Sequence, residues 1–329
     1  DWRKFEAVTA ENWLKRALGQ RAYDRTLGAQ LRAKFGAAAG DVAMVWFWGK
    51  IWLRTTSRRS PLDQEKLGYI RGSFNVLIEA LANACRQAGV EIVTGTGPER
   101  LRQIDGGRWE ALVDGQPHAL DAIVATVPSP ILLRLVPDLP PAYAEKLTGA
   151  RYEAAIVAIL RLTHRLSDIY WLNIADDDLP FTGIIEHTNF MPPAGYNGKH
   201  YVYLGKYLEI DHPYWALSDE ELIATYVPYL QRVNPAFRPE WIERSWVFRE
   251  RAAQPIIPLH YSRRIPDFRT GLPNLYLANT SQIYPEDRGT NYSVRLGNRI
   301  AAMVDADLAD PAGAASDQIE DRPLAMTPE

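Results

Sequence analysis

GLPNLYLANTSQIYPEDRGTNYSVRLGNRI, residues 271–300, carries a turn, a buried strand and the start of a helix in one run. Gly271-Leu272-Pro273-Asn274 is turn chemistry, and Leu275-Tyr276-Leu277-Ala278 is a short apolar run of buried-strand type. A polar loop follows. Val294, Leu296, Ile300 and Val304 then recur at roughly helical spacing, and Thr290 or Asn291 can cap the start of that helix. Strand, loop and helix N-terminus in this order leave free backbone N–H groups and a positive dipole end beside a sheet edge. Such a place suits an electron-rich ligand, although many α/β proteins contain the unit and bind nothing there.

The 329 residues are 47% hydrophobic, enough to bury a sizeable core, and their length favours two lobes over one. A net charge of -3 leaves no electrostatic footprint for nucleic acid or an anionic membrane. Ten Trp, 16 Tyr and nine Phe suit a core and the lining of an organic-ligand pocket. The lone Cys85 excludes an internal disulfide framework and points to a reducing compartment, the cytoplasm. It shares one helical side with Leu77, Ile78, Leu81 and Ala88, which reads as a buried, inert thiol. No apolar run reaches the length of about 18 residues that crosses a membrane.

Outward from the opening stretch, residues 1–65 are helical in pattern. Thr9 precedes a helix start at residues 10–18, Leu27, Leu31 and Phe35 continue an apolar side, and residues 42–53 form a very apolar helix. That helix can line a pocket, lie buried between lobes, or make peripheral contact with a membrane. Arg54, Arg58 and Arg59 with Thr55, Thr56 and Ser57 form a basic, hydroxyl-rich loop. An amphipathic helix over 75–88 ends at Gly89, and Val90-Glu91-Ile92-Val93 reads as a strand. Turns at Asp105-Gly106-Gly107 and Asp114-Gly115 mark β-hairpins, and residues 122–127 form an apolar strand stopped by Pro128, with a helix over 130–135. Strand candidates at 154–162, 170–174, 183–187, 200–204 and 241–248 predict an antiparallel sheet, with a capped helix from Ser218 to Arg232 among them. The tail after Asp310 has the composition of a disordered segment.

The order of three pieces is distinctive: turn, helix, Gly and strand over 72–93; the run ending Ala125-Thr126-Val127-Pro128; and Leu275 to Ala278 with Gly289 and the helix beyond. In this order the chain resembles the carboxy-terminal two-thirds of the FAD-dependent amine oxidase, phytoene desaturase and protoporphyrinogen oxidase superfamily, over roughly residues 66–305. The resemblance implies an α/β plus α+β chain, a partial FAD-binding domain of glutathione-reductase type with an antiparallel-sheet and helical substrate domain. Residues 1–65 would be the helical part of the substrate lobe, 66–130 and 266–309 the FAD-binding segments, 131–265 the substrate domain, and 310–329 a tail. It implies FAD as cofactor, with Val93, Gly97 and Pro98 toward the adenine end and Ala125, Thr126 and Pro128 near the adenosine and pyrophosphate. Gly289, Thr290, Asn291 and Tyr292 would face the flavin's N1/O2 edge, where a helix N-terminus stabilises the charge of the reduced ring.

Two departures stand out. The family has Gly-Asp or Gly-Glu after its last strand, whereas Ala278-Asn279 stands here, with Asn279 still able to reach a ribityl or phosphate group. The G-x-G-x-x-G fingerprint is absent, and the chain begins at Asp1 without Met, which reads as an amino-terminal truncation of a longer enzyme. The expected reaction of that enzyme is hydride removal from a small organic substrate, with oxygen, quinone or another acceptor taking the electrons on. Weak catalytic candidates on the antiparallel section are Tyr170, Glu186, His187, Tyr203 and Arg249, and Glu186 and His187, as strand neighbours, face opposite sides. No metal-ligand spacing is present. One alternative is a redox-neutral flavin sugar mutase or isomerase, for which Tyr196, Tyr207, Arg249 and Arg251 suit a nucleotide-sugar; the other is a non-catalytic fragment or interaction module.

Overall fold

The computed structural model describes residues 1–56, 66–176 and 178–310. Arg58, Arg59 and the tail beyond Asp310, both singled out above, lie outside the described residues.

Along the chain, α1 (Ala10–Leu18) starts where Thr9 accepts the Asn12 N–H at 3.2 Å and stops at Gly19. Then come α2 (Gln20–Arg25), α3 (Leu27–Phe35), α4 (Met44–Thr56) and α5 (Asn75–Gln87). β1 (Arg100–Gln103), β2 (Trp109–Val113) and β3 (Gln116–Leu120) form a meander, followed by β4 (Ile123–Ala125), α6 (Ser129–Leu135) and α7 (Pro141–Thr148). Asp114 and Gly115, between β2 and β3, both take positive φ, the backbone twist that a two-residue hairpin requires. Next are β5 (Tyr152–Leu162), β6 (Trp171–Asn173), β7 (Gly183–Glu186), β8 (His200–Leu208), α8 (Asp219–Tyr226), α9 (Leu230–Val233), β9 (Ile242–Pro255), β10 (Leu275–Leu277) and α10 (Thr290–Ala309). Ser218 and Glu221 form a reciprocal capping box at α8. The single helix expected over 218–232 is broken by a 3-10 turn at Val227–Tyr229, because Pro228 has no N–H to continue the ladder.

The chain divides into two compact units. The first comprises residues 1–3, 45–150 and 260–329. Here β10 pairs in parallel with β4, Leu275 opposite Ile123 and Leu277 opposite Ala125, while β1-β2-β3 is antiparallel. Alternate residues of β10 enter two different cores. Leu275 and Leu277 join Trp109, Leu132, Leu135 and Leu147; Tyr276 and Ala278 join Phe268, Tyr292, Leu296 and Ile300. A strand buried on both faces must be apolar throughout, which is why Leu275 to Ala278 carries no polar alternation.

Two expectations fail in this unit. Residues 90–93 form no strand, and Val90, Ile92 and Val93 are exposed. Val76, Leu77, Ile78 and Leu81 of α5 are 40–59% exposed, so the side shared with Cys85 is not buried. The physical reason is common to both. A parallel strand and an amphipathic helix are stabilised by what packs on them, and no other described element covers this surface in the unit.

The second unit comprises residues 4–44 and 151–259. Its antiparallel sheet has the order β6-β7-β8-β5-β9. One face is the core: Ala154, Ile156, Ala158, Leu160 and Leu162 of β5 are each 0% exposed, and the last four pack with Val202, Leu204, Leu222, Tyr226 and Leu230. Period-two alternation sends the intervening residues to the other face.

Candidate functional site

In the first unit the parallel strands β4 and β10 end side by side, and the Ala278 N–H donates to Ala125 O at 2.9 Å. Ligands of open parallel sheets sit outside such carboxyl ends. The chain leaves β10 through Asn279, whose side chain is fully used. Nδ2 donates to Val127 O at 3.0 Å, and Oδ1 accepts from Ser281 N and Oγ at 3.0 and 2.7 Å. Gln282 closes the turn by accepting the Asn279 N–H at 2.8 Å and donating to Leu277 O and Pro266 O. Asn279 is therefore buried as a tie between the two strand ends, and it has no amide group left for a ribityl or phosphate oxygen.

Beyond this turn α10 begins at Gly289, which supplies no capping side chain. The N–H groups of Thr290, Asn291 and Tyr292 have no partner within the helix, and Thr290 and Asn291 are exposed. A side chain at 289 would crowd this opening, since its Cβ would lie 2.9 Å from Asn291 Oδ1. Four charged groups flank the helix start. Lys50 of α4 pairs with Asp287 at 2.5 Å and lies over the Trp46 ring. Glu286 is buried, with neither carboxyl oxygen hydrogen-bonded to another described residue, and Arg295 Nη1 is 4.0 Å away. Burial raises the Glu286 carboxyl above the ordinary range, against the weaker pull of its own backbone N–H and of Arg295.

Of the other residues assigned to cofactor contact, Ala125 closes β4 and is buried, Thr126 is exposed and Pro128 precedes α6. These three share the strand end with Gly289 to Tyr292 in sequence order only as far as β4 and β10 pair. Val93, Gly97 and Pro98 lie on an exposed segment outside the strands, running into β1, with open space around Gly97.

In the second unit the sheet face opposite the core is aromatic. One cross-strand row runs Trp171, Ile185, Tyr203, Ile159, Trp246, one residue from each of the five strands in spatial order. The adjacent row is Asn173, Gly183, Gly205, Val157, Phe248. Gly183 and Gly205 are direct partners on neighbouring strands, so side chains leave a gap in mid-sheet beside the Tyr203 ring. At one end of this face His187 Nε2 and Tyr196 Oη share a hydrogen bond of 2.5 Å, and the His187 ring lies 6.2 Å from that of Tyr203. Burial lowers the His187 imidazole below its ordinary value, which keeps it neutral at pH 7.

The weak catalytic candidates are thus divided. His187 and Tyr203 are together on the aromatic face. Glu186 is wholly buried on the other side, accepting from Leu166 N at 3.0 Å, Ser167 N at 2.7 Å and Ser167 Oγ at 3.2 Å, and so anchors that loop. Arg249, opposite Ile156, also belongs to the core side, paired with Asp219 at 2.5 Å and donating to Leu217 O at 2.9 Å. Tyr170 packs against Phe190 beside the β6 edge. Tyr207 shares the non-core face of β8 and receives Lys34 over its ring, while Arg251 lies over Trp215. Gly183, Gly205, Trp171 and Trp246 escaped the sequence reading as site residues; an isolated glycine inside a strand pattern was the available signal.

Comparison with known proteins shows the family and the fold. A family model for flavin containing amine oxidoreductases matches residues 5–290. Among similar solved structures, a proposed protoporphyrinogen oxidase from Exiguobacterium sp. 255-15 is 14% identical with a TM-score of 0.70, covering 91% of this chain and 67% of that one. Wild-type putrescine oxidase bound to putrescine is 16% identical with a TM-score of 0.64, covering 92% and 69%. Reduced UDP-galactopyranose mutase is 14% identical with a TM-score of 0.59, covering 78% and 58%. The likeness to these structures is one of fold, and the chain spans 58–69% of their length. No curated protein sequence matches the chain.

Proposed function

The chain belongs to the family of flavin containing amine oxidoreductases, and from that premise we propose that it is the larger part of an FAD-dependent oxidoreductase that removes hydride from a small organic substrate. The uncapped N-terminus of the 20-residue α10, opening beside the carboxyl ends of β4 and β10, carries this reading. Gly289 admits a flat ring edge, and the free N–H groups of Thr290, Asn291 and Tyr292 with the helix dipole favour negative charge there. FAD supplies the hydride acceptor. The residues present fit the ring end of that cofactor. They offer no glycine-rich strand-to-helix turn for its pyrophosphate, so Val93, Gly97, Pro98, Ala125, Thr126 and Pro128 are proposed only as flanking contacts of the adenosine side.

On the second unit, the gap over Gly183 and Gly205 with Tyr203, Trp171 and Trp246 along it is the proposed substrate surface. Aromatic faces hold an apolar or cationic organic group and exclude water, and the neutral His187–Tyr196 pair at its end can accept or hold a proton. The enzyme is read as cytoplasmic from its single cysteine; no helix among the described residues is long and apolar enough to cross a membrane.

The test is the flavin spectrum. The full-length enzyme, as purified or given FAD, should absorb near 450 nm (roughly where oxidised flavin absorbs) and bleach anaerobically on addition of an amine drawn from a panel of primary amines. A colourless full-length protein that takes up no FAD sinks the flavoenzyme reading in favour of an interaction module. The similarity to a mutase motivates a second reading: turnover of a nucleotide-sugar with no consumption of an electron acceptor would favour redox-neutral isomerisation.

A further inference from the structure

We infer that the second unit carries a separate binding site for a small organic carboxylate, in the cleft between α3 and β8, with Lys206 as its anchoring cation and Arg32 at its rim. The first observation is one of pattern. Val202, Leu204 and Leu208 of β8 point into the core, and Lys206 occupies the same stripe, directly opposite the fully buried Ile156. The periodicity calls for an aliphatic side chain there, and lysine is among the residues least often buried without a partner.

The ammonium group has no ion-pair partner among the described residues. The one carboxylate whose charge it feels is Glu209, and its ring neighbour is Tyr214, 5.9 Å from Nζ. Glu209 lines the same cleft but is engaged at its α3 end: its Oε1 tucks against Gly36, where any Cβ would stand 2.5 Å away, and accepts the Ala37 N–H at 3.4 Å. Asp176, across the cleft, is committed to Arg232. Burial accordingly lowers the Lys206 amine, with Glu209 only partly opposing it.

The second observation is room. α3 turns Ala29 and Ala33 toward β8, with Gly36 just past its end, and these small residues leave a cavity of about 210 Å³. That is the share of liquid volume of about seven waters, enough for a short-chain acid. Besides Lys206, two donors line it. Arg32 is exposed and in no ion pair among the described residues, and His212 accepts the Tyr214 N–H at Nδ1, so its neutral ring carries the proton on Nε2. A guanidinium, an ammonium and an imidazole N–H converging on one cleft suit the two oxygens of a carboxylate. A lysine that merely extends its stem along apolar surface would need no cleft and no further donors. Lys206 lies on the core side of β8, whereas Tyr203 and Gly205 lie on the other face and do not line the cleft, so the site is distinct from the proposed substrate surface.

Isothermal titration calorimetry of the whole chain with succinate, acetate and inorganic phosphate, at fixed ionic strength, tests this. Wild type should bind a carboxylate saturably. Lys206→Met, which restores the apolar stripe, should weaken binding at least tenfold while keeping or raising the thermal midpoint. Arg32→Gln, on the surface, should weaken it several-fold and covers the case in which Lys206→Met fails to fold. Absence of saturable binding for all three probes, undiminished binding in both variants, or preference for phosphate over both carboxylates would each overturn the assignment.

Discussion

Glu153 shows how a single side chain couples this fold to pH. It is 4% exposed on β5 opposite Gln254 of β9, and burial, with the charge of Glu209 behind it, pushes its carboxyl up to about 7 against the pull of Arg151. The folded chain therefore holds this proton more tightly than the unfolded chain does. Its stabilising effect is complete below the ordinary carboxylate range and is lost as pH rises through about 7. Urea denaturation should show a falling midpoint between pH 5 and 8. Glu153→Gln should flatten that slope and gain on the order of 2 kcal/mol at pH 8; a wild-type midpoint that does not fall with pH would contradict this.

α10 is where one element joins stability to function. Near its far end Asp307 accepts from Arg269 Nε and Nη2 at 2.8 and 2.6 Å and from Tyr276 Oη at 2.8 Å, clamping the helix to β10. The Arg269 interaction holds the Asp307 carboxyl below its usual range. Asp307→Ala removes the acceptor of the Tyr276 phenol and of two Arg269 N–H groups at a partly buried position, for an expected loss of about 3 kcal/mol in chemical denaturation. At its N-terminus, Gly289→Asp should act with opposite signs on two measurements. A carboxylate caps the helix and, after Asn291 Oδ1 shifts to admit the new Cβ, adds no more than about 0.5 kcal/mol of stability. The same charge should weaken flavin binding at least tenfold in a fluorescence titration. Equal flavin affinity in the two proteins would remove α10 from the cofactor site.

At the scale of the whole molecule, the apolar surface of α5 and residues 90–93 is the largest physical anomaly. Ile78 and Leu81 are each 59% exposed, alongside Leu77, Val76, Val90 and Val93. A contiguous patch of this kind on a water-exposed chain promotes association. Ile78→Lys with Leu81→Glu should lower self-association in sedimentation experiments while moving the denaturation midpoint by less than about 0.5 kcal/mol. A large loss of stability would show that these side chains are packed after all.

Local chemistry was legible in the sequence because it depends on neighbours in the chain. The hairpin at Asp114-Gly115, the cap at Ser218 and the strands of the antiparallel sheet follow from turn residues and period-two patterning. The buried run Leu275 to Ala278 and the helix after Gly289 follow from the same rules. What only tertiary structure decided is which side of each element is covered and by what. Register placed Glu186 and Arg249 on the core side and His187 and Tyr203 on the aromatic side, and it brought Gly183 beside Gly205. Packing spent the Asn279 amide on Val127 and left Lys206 without an ion-pair partner among the described residues. It also left residues 90–93 without a strand to pair with, since a β-pattern becomes a strand only when another backbone supplies its hydrogen bonds.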